Sequence, residues 1–280
     1  MKKKIIYITL NFLLILILFQ CSIETNKNIV SDNIKGMNVH FIDVGQGDSI
    51  LIQVNSKNLL IDSGPSASKD KLVKYLNSLK ISKLDYIIAT HPHEDHIGNM
   101  SYIIDNFEVL NFYAPKVNSN TKAFETMVES LVIKNLKIKV LKPNIKSIDL
   151  GENTKVDVFS PISNEYENLN NFSSIIKISY GTTSFLFTGD SEELSEKEVL
   201  TQGYDLKSDV LKVGHHGSSS STSKRFLDAV DPYIAVISVG KDNSYGHPSQ
   251  EVLSRLKDLT IYQTDLDGNI LIKSDGHSLK

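Results

Sequence analysis

The stretch THPHEDHIGN, residues 90–99, follows the apolar run DYIIA and precedes the apolar run MSYII. Three histidines and two acids occupy the six positions 91–96. Burying an imidazole or a carboxylate without a partner is costly, so a cluster of them after a predicted buried strand must satisfy itself or hold a metal. The alternation His91-x-His93 aims two imidazoles from a turn at one point. Asp95 and His96 face a second point a few ångströms away. Imidazole and carboxylate suit Zn²⁺, and thiolate ligands are missing, because the one cysteine, Cys21, lies far upstream. A single histidine is ordinarily a surface or satisfied core residue, but six positions of this composition read as a metal loop.

Two neighbouring cations need a shared anionic bridge. Asp190 is the candidate, since it ends the predicted strand SFLFTGD and Gly189 gives the backbone room to turn. His215 and His216 end another, DVLKVGHHGS.

Working outward, NVHFIDV, DSILIQV and NLLID are short β-branched-rich runs divided by GQG and NSK, which predicts consecutive strands with tight turns. DYIIAT, VLNFYA, KVDVFS, SIIKISY, YIAVISV and TIYQT add further strands. Helical spacing marks KDKLVKYLNSLK, IGNMSYIIDNF, TKAFETMVESLVIKN, SEELSEKEVLTQ, SKRFLDAV and PSQEVLSRLKD. Two successive blocks of strands and helices predict an α/β (α+β) fold of two packed sheets with helices outside. No internal linker interrupts residues 37–280, which read as one domain.

The 280 residues are 40% hydrophobic and 22% charged, which excludes a disordered chain. The N-terminus, MKKK followed by IIYITLNFLLILILF, reads as a secretory signal over residues 1–21 or as an uncleaved membrane anchor, with 22–36 as a tether. Cys21 stands where a lipoprotein signal places its lipidated cysteine, although Phe19 and Gln20 are bulkier than that signal prefers. Either reading puts the body outside the cytoplasm, secreted or on the outer face of the membrane. The net charge is −3, and Arg225 and Arg255 are the only arginines. That is a poor generic nucleic-acid surface, with KVNSNTK and GSSSSTSKR its only modest cationic tracks.

HPHEDH matches the HxHxDH signature of the metallo-β-lactamase fold, an αββα sandwich with two metals at one edge. More narrowly, FIDVGQGDSILIQ, LLIDSGP, THPHEDHIGN, FTGD, LKVGHHGSSSSTS, YGHPS and TDLDGNI resemble the metallohydrolase domain of the ComEC competence family. Similar motifs occur in phosphorylcholine esterases of bacterial surfaces. The resemblance implies that His91 and His93 hold one metal and Asp95 and His96 a second, with Asp190 as the bridge. It implies that His216 ligates the second metal while His215 and His247 face substrate, and that Asp62 orients ligands. Asp95 would also orient the attacking water. One departure is plain: no histidine lies between His96 and His215, so the first metal lacks a ligand that many members carry. Asn171 or Ser173 stands near the corresponding place, and Mn²⁺ becomes an alternative to Zn²⁺.

The implied activity is metal-dependent hydrolysis, first of all of a phosphodiester, with DNA the family's presumed substrate. A phosphorylcholine esterase acting on cell-wall polymers and a non-catalytic binding protein are the alternatives. Without the many membrane spans of a full ComEC protein, the chain is not expected to be a DNA channel. Gly45 and Gly47 in VGQGDS read as a strand-to-strand turn rather than a phosphate loop, as no lysine or helix follows. Asp48 is expected at the site rim, and His40 and His277 in structural or exposed positions. SSSST at 218–222 is expected to form a flexible rim or a helix cap.

Overall fold

The computed structural model of the protein describes residues 36–280. The expected signal at 1–21, its Cys21 and all but the last residue of the expected tether lie outside the described residues. Strands β1 (Met37–Phe41), β2 (Ile50–Val54) and β3 (Lys57–Ile61) form an antiparallel meander. Strands β4 (Lys83–Leu84) and β6 (Glu108–Val109) pair separately as a small two-stranded sheet. Strands β5 (Tyr86–Ile88), β7 (Phe112–Ala114) and β8 (Ile138–Val140) extend the meander in parallel.

The second sheet runs antiparallel through β9 (Thr154–Val158), β10 (Ile176–Tyr180) and β11 (Thr183–Phe187). It turns parallel through β12 (Val210–Lys212), β13 (Ile234–Ile237) and β14 (Thr260–Gln263). The last strand, β15 (Ile270–Ser274), returns to the first sheet beside β1, giving the order β15-β1-β2-β3-β5-β7-β8.

Period-two alternation explains the layering. Phe41, Ile50, Ile52, Leu59 and Ile61 face Phe185, Phe187, Val210 and Val236 in the core between the sheets. The intervening Leu51 and Leu60 point the other way, under helices Lys69–Ser78, Met100–Asn106 and Lys122–Ile133. Leu186 and Leu211 likewise meet Val199, Phe226 and Val230 from helices Glu193–Thr201 and Lys224–Val230. Both faces of each sheet are covered, so the strands read as nearly continuous apolar runs. The result is an αββα sandwich, the architecture that the sequence resemblance implies.

β8, β15 and the β4–β6 pair do not stand out in the sequence. All three β8 residues are exposed, so no buried alternation marks them. β15 follows the turn-rich TDLDGN and is defined by its pairing with β1, at the opposite end of the domain.

Candidate metal centre

The expected site residues follow the C-terminal ends of five strands. Asp62 follows β3, the 91–96 loop follows β5, Asp190 follows β11, His215 and His216 follow β12, and the loop carrying His247 follows β13. Strand ends on one edge are the usual ligand side of such sheets.

His93 precedes the one-turn helix Glu94–Ile97, placing Asp95 and His96 in its first turn. Gly47, at φ +146°, lies so close behind this turn that a Cβ there would stand 2.2 Å from the Asp95 carbonyl oxygen. The Gly45–Gly47 segment is thus a turn packed against the metal loop. His215 and His216 occupy consecutive left-handed positions, with φ 49° and 56°. Side chains other than glycine rarely accept that conformation, at roughly 1–2 kcal/mol per residue, and such strain collects at functional sites.

Asp95, His96, Asp190 and His216 each offer one ligand atom, all within 4.8 Å of one another. His96 Nε2 lies 3.2 Å from Asp190 Oδ1 and 3.8 Å from Asp95 Oδ2. His216 Nε2 lies 3.2 Å from Asp95 Oδ2 and 3.5 Å from Asp190 Oδ2. A tetrahedral zinc with bonds of about 2.0–2.2 Å separates its ligands by roughly 3.3–3.6 Å, so the donor set fits such an ion. His96 Nε2 and Asp190 Oδ1 are moreover buried without a hydrogen-bond partner, a costly condition that a cation would relieve.

His91 and His93 flank this group rather than join it. His91 Nε2 lies 3.0 Å from His93 Nδ1 and 3.9 Å from Asp190 Oδ2. His215 stands on the outer side, 3.6 Å from Asp190 Oδ2 and partly exposed.

Each inner imidazole is held from behind. Asp62, fully buried, accepts from Thr90 N at 2.8 Å, from Thr90 Oγ1 at 2.7 Å and from His96 Nδ1 at 2.8 Å. His216 Nδ1 donates to Ser238 O at 2.9 Å. Both histidines therefore present Nε2 to the cluster.

Charge follows the same plan. Burial alone would lower His96 and His216, but the carboxylates around them, Asp190 foremost, raise both well above 6.5. Burial disfavours ionised Asp190 and Asp95, yet the same histidines hold both carboxyls below their ordinary range. Burial lowers His91 well below 6.5, keeping it neutral and available as a ligand. The pocket is an anionic hole that draws positive charge, whether protons or a divalent cation.

Three expectations are corrected. Asp48 is not at the rim but 1% exposed, paired at 2.8 Å with the fully buried Lys212, and its other oxygen lies 3.5 Å from His216 Nδ1. The 218–222 segment is not a loose rim, since Ser218, Ser221 and Thr222 are buried. The Glu196 carboxylate accepts from Thr222 N, and Arg255 Nη1 donates to the Ser221 and Thr222 carbonyls. The helix cap there is Ser223. Asn171 does not join the cluster: its Oδ1 accepts from Ser195 N and its Nδ2 donates to Glu192. Ser173 instead holds the backbone of the bridge candidate, accepting from Asp190 N at 3.0 Å.

His40 is buried against Tyr75 and Gln53, and His277 is exposed. Lys224, in one expected cationic track, is engaged with Asp228 at 2.8 Å. Two participants escaped the sequence reading. Lys212 was signalled by a lysine inside the apolar strand VLKV. Glu192, whose Oε1 lies 3.7 Å from His215 Nδ1, carried no signal.

The fold and the cluster define a metallo-hydrolase scaffold, and residues 42–241 match the Metallo-beta-lactamase superfamily. The chain belongs to that superfamily. It is 32% identical over 252 residues to ComE operon protein 3 of Bacillus subtilis, covering 83% of this chain and 32% of that protein. It is 29% identical to the competence protein ComA of Neisseria gonorrhoeae, covering 81% of this chain and 30% of that one. The chain thus spans about a third of the length of these curated relatives. Among solved structures, the metallo-beta-lactamase fold protein YhfI from Bacillus subtilis superimposes with a TM-score of 0.58 at 15% identity, over 85% of this chain and 100% of that one.

Proposed function

We propose that the protein is a metal-dependent phosphodiesterase acting on nucleic acid outside the cytoplasm. The observation that carries this reading is the convergence of Asp95, His96, Asp190 and His216, with His91 and His93 alongside, at one strand edge. His91, His93 and Asp190 would hold one cation, and Asp95, His96, His216 and Asp190 the other. Zn²⁺ suits these donors, with Mn²⁺ an alternative given the shorter set around the first position. Bound divalent cations lower the pKa of water and polarise a phosphoryl oxygen.

The chain's own residues supply the rest. Asp95, the most exposed of the four, is held ionised by the histidines and orients the water by accepting a hydrogen bond from it. Burial lowers His215 and His247, so both are neutral near pH 7 and donate hydrogen bonds to phosphoryl oxygens. Asp62 and the Ser238 carbonyl keep His96 and His216 in register. The phosphodiester choice rests on the similarity to competence proteins, and the extracytoplasmic placement on the charged and apolar leader.

The test measures metal per chain after reconstitution, then hydrolysis of bis(p-nitrophenyl) phosphate by the protein and by Asp190→Ala. About two metals per chain and loss of at least roughly 100-fold in kcat/KM in the variant are expected. No metal uptake and no hydrolysis would leave a binding protein on this fold.

A further inference from the structure

A ladder of rings climbs from the metal cluster to solvent. His215 Nε2 stands 3.6 Å from Asp190 Oδ2. The His215 ring meets His247 edge-on at 5.6 Å. His247 in turn lies under Tyr245, with centroids 5.7 Å apart and planes only 21° from parallel. Tyr245 is 69% exposed, an unusual position for a large aromatic with one face already covered.

The backbone that carries the ring is held in place. Asn243 Nδ2 donates to the carbonyls of Gly240 and His247, and its Oδ1 accepts from the amides of Tyr245 and His247. Ser249 N donates to Gly217 O at 2.9 Å, tying this loop to the His215–His216 turn. An ordered, exposed aromatic at the mouth of a phosphodiester site serves one kind of ligand group well.

We infer that Tyr245, backed by His247, is a stacking platform for a nucleobase attached to the scissile phosphodiester. This rests on the phosphodiesterase reading and narrows it to nucleotide substrates. Stacking on an aromatic face needs no cationic groove and tolerates any base, which suits a chain with two arginines and net charge −3. A quaternary ammonium group prefers several ring faces converging on one point. The near-parallel Tyr245 and His247 offer a single flat face instead.

The chain has no tryptophan, so Tyr245→Trp places a unique fluorophore on the platform. Metal-loaded full-length protein is titrated with phosphorothioate-linked oligothymidylate and with an abasic oligomer of equal length. Oligothymidylate should quench the indole and bind roughly 5- to 150-fold more tightly than the abasic strand. By anisotropy of end-labelled strands, Tyr245→Ala should erase that ratio and Tyr245→Phe should keep it. A ratio near one in the parent protein, or an unchanged ratio in Tyr245→Ala, overturns the platform. So does a Tyr245→Ala defect confined to a phosphorylcholine ester. Hydrolysis of bis(p-nitrophenyl) phosphate with no base preference would sink the platform and leave the phosphodiesterase reading standing. Base preference without hydrolysis of any phosphodiester would overturn the phosphodiesterase reading and leave Tyr245 as a base-binding face alone.

Discussion

Asp62→Asn probes the metal centre from behind, through a residue that faces no cation. Asp62 Oδ1 accepts from the Thr90 amide, and Oδ2 accepts from both the Thr90 hydroxyl and His96 Nδ1. The asparagine keeps the volume and one acceptor, but puts an NH₂ where Oδ2 faced two donors. The Thr90 hydroxyl can rotate and accept. His96 can accept at Nδ1 only by carrying its proton on Nε2, the atom aimed at Asp190 and Asp95. A cation must then displace that proton, and loss of such an orienting partner ordinarily weakens metal binding by about 10–100-fold, or roughly 1.4–2.7 kcal/mol.

The assay is competition with a chromophoric chelator at fixed pH, beside thermal melting of the metal-free protein to separate affinity from folding. The expected result is a weaker metal constant in a folded variant, with the thermal shift on adding metal reduced in proportion. A variant that competes for metal as well as the parent does would refute the claim that Asp62 sets the His96 tautomer.

Two further predictions concern the fold around the site. Burial lowers His40 from 6.5 to about 4, against a weaker opposing hydrogen bond from Gln53. The folded state therefore disfavours the protonated form: His40's contribution is fully present above pH 6.5 and is lost as pH falls toward 4, by roughly 3 kcal/mol in total. Urea titrations across that window should show the stability gap between parent and His40→Gln shifting toward the variant, and a pH-independent gap would contradict this. Lys212→Met strands the buried Asp48 carboxylate and should cost about 3–5 kcal/mol, with Asp48→Asn in the same background recovering most of it. A double variant no more stable than Lys212→Met alone would show that the two residues are not a pair.

The reading of individual residues followed how local their determinants are. The strand runs around β1 to β3 and the helices outside them are legible because alternation and helical spacing repeat within a dozen residues. HPHEDH is legible because a dense titratable cluster beside apolar runs has few other physical explanations. Asp48 was misplaced because nothing nearby names its partner; Lys212 lies on the other sheet. Asn171 was placed near the metals by its position in the chain, whereas its hydrogen bonds go to Glu192 and the start of helix Glu193–Thr201.

The amino-acid order by itself determined the layered α/β class and the kinds of donor atom available to a cation. Those follow from short-range periodicity and from side-chain chemistry, which need no partner to be recognised. Only the tertiary structure decided which donors meet, which imidazole nitrogen each presents, and that Lys212, Glu192 and the Tyr245 ring belong to the same edge. These are contacts between segments as many as 150 residues or more apart, such as His96 with Asp62, Asp95 with His216 and Lys212 with Asp48. They exist only once the core between the sheets has brought the strand ends together.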